Sequence, residues 1–400
     1  MAGVSTRSTL RTVILLLGVV SCEHTEPFQA SPPPPISGPL TTTFPTRLTY
    51  NLGADAYPTW GPDGSAILYQ AEDPNDPNRD RCLFALPPTG GTQTPVACAD
   101  SISLNVSYGP AGVSSTGRVA VYESVSGLGA GTPLSAGMYL AAAWPFRSAK
   151  LILPLPIVTP GGRADKLTSL HWLGDSAFLA LGVRTTVASR CAFPCPPGIV
   201  PDTLETGLEV LLVRVAGDTA AVSLVPGTIR ASSYSFVAPD TLYFTLNNDN
   251  RILRTHVSGG AVDSVFAFAA DSVDAPVGDA VAVPTIARGL QIHGHTAFAV
   301  LGGRVDYHPD SGQGEAQRDW GGKVHKVNLS TGADTLLGTR PPLSGASYVW
   351  VRNPTLSPDG ATLTGEGRVS VITALFAGDT WIGNDTTMPP TGNIWQFVRP

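Results

Sequence analysis

Charge is scarce in this chain of 400 residues: Asp, Glu, Lys and Arg make up 14%, against about 25% in ordinary soluble domains. Past the N-terminus there is no run of Lys or Arg, and the net charge is −6. Nucleic acid is therefore not expected as a partner, because binding it takes a basic face. No segment carries a sustained helical period, and no apolar run downstream of the N-terminus is long enough to span a bilayer. A G-x-S-x-G elbow, an H-E-x-x-H pair and a phosphate-cradling loop are all missing, so nucleophilic, zinc-peptidase and nucleotide chemistry find no support. No cofactor is expected. What the chain has instead is 43 glycines and 36 prolines, about a fifth of its length, with 42% apolar residues. That is the composition of many short elements joined by turns around a large core.

The N-terminus reads as an export signal. Arg7 and Arg11 form a basic start, residues 12–20 an apolar core too short to cross a membrane, and Val19-Val20-Ser21-Cys22 the end of the segment. This end resembles the lipobox of bacterial lipoproteins, which implies cleavage before Cys22 and acylation of its sulfur. Each buried CH₂ of an acyl chain contributes about 0.8 kcal/mol, so several chains hold a soluble body at a membrane. Glu23 rather than Asp after the Cys leans toward the outer membrane by the sorting rule of such lipoproteins. Residues 23–45, with a proline run at 32–35, read as a semi-stiff tether. Cys82, Cys98, Cys191 and Cys195 remain, an even set in an exported protein. Cys82 and Cys98 flank a hairpin turn, and Cys191 and Cys195 would staple a loop tip.

From residue 46 a unit recurs: two strands around a tight turn, a long loop, then two strands around a Gly turn. Hairpins such as "GLEVLLVRVAGDTAAVSLV" and "RILRTHVSGGAVDSVFAF" alternate apolar and polar residues on both sides of such turns. Trp60, Tyr108, Trp172, Phe236, Ile292 and Leu356 mark six units. Four-stranded units repeated at this spacing predict an all-β fold, a six-bladed β-propeller over residues 46–400. "PTWGPDG" at 58–64 and "PTLSPDG" at 354–360 resemble the P-x-[WL]-S-P-D-G repeats of TolB-type, WD40-like propellers. The resemblance implies the propeller fold and periplasmic protein–protein contact. The α/β domain that precedes the TolB propeller has no counterpart ahead of residue 46. The last unit, "NIWQFVRP", lacks a fourth strand, whereas "TRLTYNL" at 46–52 is a strand without a unit. Pairing the two is expected to close the ring and bring the two matching turns together.

Strands alternate direction, so short turns share one face, and long loops share the other with the blade-to-blade connections. Loops at 71–80, 124–137, 184–206 and 302–322 make the second face the expected binding surface. On it, Tyr307, Arg318, Asp319 and Trp320 are candidate contacts for a sugar or a protein partner. His293 and His295, at strand spacing, with His308 or Asp306, are candidate metal ligands, the plainer reading being a solvated strand surface. Glu72, Asp73, Asp76 and Asp80 offer oxygen ligands without ordered calcium-loop spacing. His171, His256 and His325 are read as structural. The functional expectation is a monomeric, lipid-anchored, non-enzymatic protein-binding or scaffolding module of the cell envelope. The alternative is a carbohydrate-active enzyme or carbohydrate-binding propeller working at the channel mouth.

Overall fold

The computed structural model describes residues 46–50, 54–72, 81–98, 104–127, 134–143, 149–188, 202–269, 279–280, 286–308, 316–337, 347–377, 380–387 and 393–398. The export signal with Cys22, the tether, Cys191, Cys195, Asp73, Asp76 and Asp80 lie outside these residues.

A short strand, β1 (Thr46–Arg47), opens the fold. Two antiparallel meanders follow: β2 (Asp55–Trp60), β3 (Ile67–Glu72), β4 (Arg81–Leu86) and β5 (Thr94–Ala97), then β6 (Leu104–Val113), β7 (Val119–Gly127), β8 (Ser135–Ala141) and β9 (Lys150–Leu155). A single parallel bridge, Arg81 opposite Ser107, joins them into one eight-stranded sheet. A small hairpin, β10 (Ile157–Thr159) and β11 (Gly162–Ala164), leads into β12 (Lys166–Trp172), β13 (Ala177–Ala188), β14 (Asp202–Ala216) and β15 (Thr219–Leu224). The next sheet is β16 (Ala231–Val237), β17 (Thr241–Leu246), β18 (Arg251–His256) and β19 (Asp263–Ala267). Then come β20 (Asp279–Ala280), β21 (Ile286–His293), β22 (Thr296–His308), β23 (Ala316–Asn328) and β24 (Asp334–Leu337). The last sheet holds β25 (Ser347–Leu356), β26 (Leu363–Ala377), β27 (Thr380–Thr387) and β28 (Asn393–Val398).

The first strands succeed one another around an axis: β2 lies against β6, β6 against β12, β12 against β16, β16 against β21, β21 against β25, and β25 against β2. Radially arranged antiparallel meanders make this an all-β propeller. The cores lie between the sheets, and this explains the sequence pattern. In β13, Phe178 and Ala180 face the sheet before, while Leu179, Leu181 and Val183 face the sheet after. A strand covered on both faces reads as a continuous apolar run. The outer strand β15, "TAAVSL", is covered on one side and alternates. Burying one side chain such as Phe178 contributes about 1.5–3 kcal/mol.

β1 pairs with β28, Thr46 opposite Gln396 and Arg47 opposite Trp395. Leu48 N–H donates to the Ile394 carbonyl at 2.8 Å, and Ile394 N–H donates to Thr49 Oγ1 at 2.9 Å. Leu48 and Ile394 are buried together with Ile67, Tyr69 and Phe84 of the first meander. The two matching turns are neighbours, since a Cβ built on Gly64 would lie 3.7 Å from Pro358 Cδ. Cys82 and Cys98 form a disulfide across β4 and β5, their Cα atoms 4.6 Å apart. Closing a loop of that length contributes about 3 kcal/mol by the chain-entropy estimate.

The expected long loops differ from expectation in one respect. Residues 302–308 and 316–323 are not a loop but continue the β22–β23 ladder, from Gly303 opposite Trp320 to Tyr307 opposite Ala316. The β13–β14 ladder likewise runs out to Ala188 opposite Asp202, and β26 pairs β27 as far as Ala377 opposite Thr380. Satisfying backbone N–H and C=O groups by cross-strand pairing is what turns these insertions into arms. The first half of β26 instead pairs with β28.

Candidate functional site

β2, β6, β12, β16, β21 and β25 each carry a shift of register against the strand that follows. Such bulges bend a strand and re-aim the side chains at the bend. In β2, β6 and β25 the shift falls at Pro58, Pro110 and Pro354, where the ring removes a ladder donor. The residues before Pro58 and Pro354 are in the left-handed region: Tyr57 at φ 52° and Asn353 at φ 45°. Asn suits that conformation and Tyr does not. A non-glycine residue held there costs about 1–3 kcal/mol, so something must hold Tyr57.

Its hydroxyl is what is held. Tyr57 Oη donates to Glu205 Oε1 of β14 at 2.6 Å and accepts from Lys166 Nζ of β12 at 2.6 Å. Lys166 Nζ also donates to Glu205 Oε1 at 3.0 Å. The ammonium stands 4.1 Å from the centroid of the Tyr57 ring and 5.4 Å from that of Tyr122 on β7, within cation–π range. Tyr57 comes from the first meander and its partners from the third, so the bonds pass over the strands of the second. On β25 and β26, Asn353 Nδ2 donates to Glu366 Oε2 at 3.2 Å, with Glu366 buried.

Tyr57, Lys166, Glu205 and Arg81 all lie toward the starts of first or third strands, which is the end that carries the arms. The arm-bearing end therefore also carries this polar cluster. Burial, then the charge and hydrogen bond of Glu205, then Glu366, push the Tyr57 hydroxyl well above the ordinary phenol range, with Arg81 opposing. For Glu205, loss of hydration is the largest single influence and favours the acid. The Lys166 charge, the Tyr57 and Lys166 hydrogen bonds and the Arg352 charge together outweigh it, so the carboxyl is held below its usual range. The three side chains are thus joined through the Tyr57 hydroxyl, Lys166 Nζ and the single oxygen Glu205 Oε1.

The singled-out residues fall as follows. Tyr307, Arg318, Asp319 and Trp320 lie in the β22–β23 arm at the mouth end; Asp306 pairs opposite Gln317. His293 ends β21 and His295 lies in the turn before β22, at the short-turn end, whereas His308 ends β22 at the other. The 13 residues of that strand separate them by about 40 Å, so the three histidines do not share one site. His293 instead covers the Gly360 turn, where an added Cβ would meet its ring. Among the described residues no group of three His, Cys, Asp or Glu is arranged to hold a metal. Glu72 is the last residue of β3, opposite Arg81. The His171 ring lies 5.2 Å from that of Phe236 in the next meander, tilted by 49°, and burial lowers its pKa. His325 bonds Asp334 at 2.8 Å, and His256 stands 3.6 Å from Asp240.

The sequence reasoning missed Tyr57, Lys166, Glu205, Arg352 and Glu366. Two signals were available: a Tyr before Pro58 where the matching repeat has Asn before Pro354, and a lone Lys opening an apolar strand in a chain poor in charge.

No protein-family model matches the chain, and no curated protein matches it. Solved structures similar to it include a calcium-binding protein, regucalcin, from Agrobacterium tumefaciens, at 14% identity over 86% of this chain and 89% of that one, with a TM-score of 0.40. The WD40 repeats of RRP9 share 11% identity over 93% and 99%, at 0.41. A putative gluconolactonase shares 12% over 87% and 93%, at 0.40. The class, a β-propeller, rests on the strand order above and not on these likenesses.

Proposed function

We propose that this is a six-bladed, TolB-type propeller closed by β1, lipid-anchored through Cys22 in the cell envelope, and that it holds an envelope protein on the arm-bearing face. The parallel bridge between Arg81 and Ser107 is a single contact, so the eight-stranded sheet divides into two blades and the meanders become six. The cyclic succession of first strands and the pairing of β1 with β28 support closure. One observation carries the functional reading: the β13–β14, β22–β23 and β26–β27 arms all project from the end where the polar cluster sits. Paired arms on a rigid ring offer both side chains and strand edges to a partner.

The charge state of the cluster favours binding over catalysis. An enzyme of the lyase or glycosidase kind needs a base or acid poised near the working pH. Here burial above all pushes the Tyr57 phenol well up, and Lys166, Tyr57 and Arg352 together hold the Glu205 carboxyl below its usual range against its loss of hydration. The test is capture from solubilised envelope membranes by the intact lipoprotein and by a chain whose β22–β23 arm is shortened between residues 303 and 320. Loss of one reproducible protein partner in the shortened chain, with melting unchanged, is expected. Equal capture by both chains would overturn the reading. Labelling with a radioactive fatty acid, abolished by Cys22→Ala, checks the anchor separately.

A further inference from the structure

Glu205 commits only one of its two carboxylate oxygens to donors among the described residues. Oε1 takes both hydrogen bonds, from Tyr57 and Lys166, and among the described residues none donates to Oε2. About 30% of the side chain is exposed, against 13% for Lys166. Two hydrogen bonds on one oxygen, one of them from an ammonium, fix the group and leave the second oxygen as a pre-oriented acceptor. Lys166 has three N–H donors, and Tyr57 and Glu205 engage two of them. An open acceptor and an open donor thus stand side by side, beside the Tyr122 ring.

The surrounding charges narrow what can sit there. Positive Lys166, Arg352 and Arg81 and negative Glu205 and Glu366 all act on this cluster, so the field there is mixed and favours neither sign of ligand charge outright. A hydroxyl is neutral, donates to a carboxylate and accepts from an ammonium at once. A ring of C–H groups bearing several hydroxyls would also lie against an aromatic face. We propose that the channel mouth binds a neutral, hydroxyl-rich ligand, one sugar residue deep, with Glu205 Oε2 as acceptor and Lys166 Nζ as donor. Tyr57 is a positioning residue: its strained backbone and its hydroxyl hold the pair in place across the mouth. The site needs no protein partner on the arms, so it stands or falls independently of partner capture.

Titration calorimetry of the purified full chain decides it, using three tetrasaccharide probes: N-acetylchitotetraose as the neutral form, its fully de-acetylated cationic form, and an anionic tetragalacturonate. The neutral probe is expected to bind best, with affinity falling about tenfold or more in Glu205→Gln, as for loss of a hydrogen bond to a charged group. Tyr57→Phe is expected to weaken binding less, and rescue by a bulkier neutral sugar is not expected. A second measurement avoids variants altogether: the neutral probe should protect Lys166 of the native chain from acetylation. Absence of binding by the neutral probe, equal or tighter binding of either charged probe, unchanged affinity in Glu205→Gln, or unprotected Lys166 at saturating sugar would each overturn the proposal.

Discussion

The two ends of the propeller solve the same steric problem in opposite ways. At the short-turn end, Pro62-Asp63-Gly64 and Pro358-Asp359-Gly360 place glycine where φ is positive, 71° and 73°. Asp63 Oδ1 accepts from Ser65 N–H at 3.0 Å, and Asp359 Oδ1 accepts from Ala361 N–H at 2.9 Å and Ser357 Oγ at 2.6 Å. The carboxylates of both turns are bonded locally, within a few residues. At the mouth, a tyrosine occupies a positive φ, and the bonds that hold it come from residues 109 and 148 positions away. Local satisfaction makes a robust joint. Distant satisfaction stores strain and leaves an open carboxylate oxygen, which is where a ligand can gain most.

Five substitutions test that contrast. The largest effect is expected where both ends depend on one seam: Leu48→Ala removes a buried side chain packed on Ile394 and Tyr69, at a cost of about 2–5 kcal/mol. Urea denaturation measures it, and a loss under about 0.5 kcal/mol would mean that β1 frays without consequence. Next, Lys166→Met leaves Glu205 without its ammonium. Buried pairs broken this way cost about 3–5 kcal/mol, and the water that Glu205 retains reduces this to about 1–3. The pH dependence has a definite sign. A carboxyl whose folded pKa is depressed stabilises above its unfolded value and loses that contribution as pH falls through the folded one. Denaturation across the acid range should show this limb in the native chain and a weaker one, moved to higher pH, in Lys166→Met.

The turn end supplies the third, smaller effect. Gly64→Ala and Gly360→Ala both put a Cβ on a left-handed residue, at about 1–2 kcal/mol each. Gly360→Ala should cost more of the two, because its Cβ would run into the His293 ring while that of Gly64 has only Pro358 at 3.7 Å. Equal melting shifts would show that His293 moves aside freely. The smallest change, under about 1 kcal/mol, is a gain. Burial raises the pKa of Glu123 on β7, so its contribution is present below the unfolded value and lost as pH rises through the folded one. Glu123→Gln should therefore be slightly more stable than the native chain at neutral pH, and no different in acid.

Much of the fold was legible because its rules are short-range. The Pro-Asp-Gly turns, the Gly hairpins and the apolar runs of β13 each announce their structure within a dozen residues. The orphan strand at 46–52 was found by a missing partner in the last unit, and Leu48 does lie beside Ile394. The arms were misread as loops, since "GGRVDYHPDSGQGEAQRDWGG" shows no apolar alternation to mark a ladder. Its pairing is made by backbone groups and resumes after a register shift between Leu301 and Gly303, beyond the core stretch of the ladder that holds Phe298 and Val324. His293, His295 and His308 looked like one cluster because sequence distance along a strand hides its length.

The chain by itself determined the repeated meander, the positions of the turns and the pairing of its first strand with its last, because turn chemistry and strand burial are written in neighbouring residues. Only the tertiary structure decided where chemistry gathers. Tyr57, Lys166 and Glu205 are unremarked polar residues until bent first strands aim them at one mouth, and the energies that tune them are set by charges and burial that no local stretch contains.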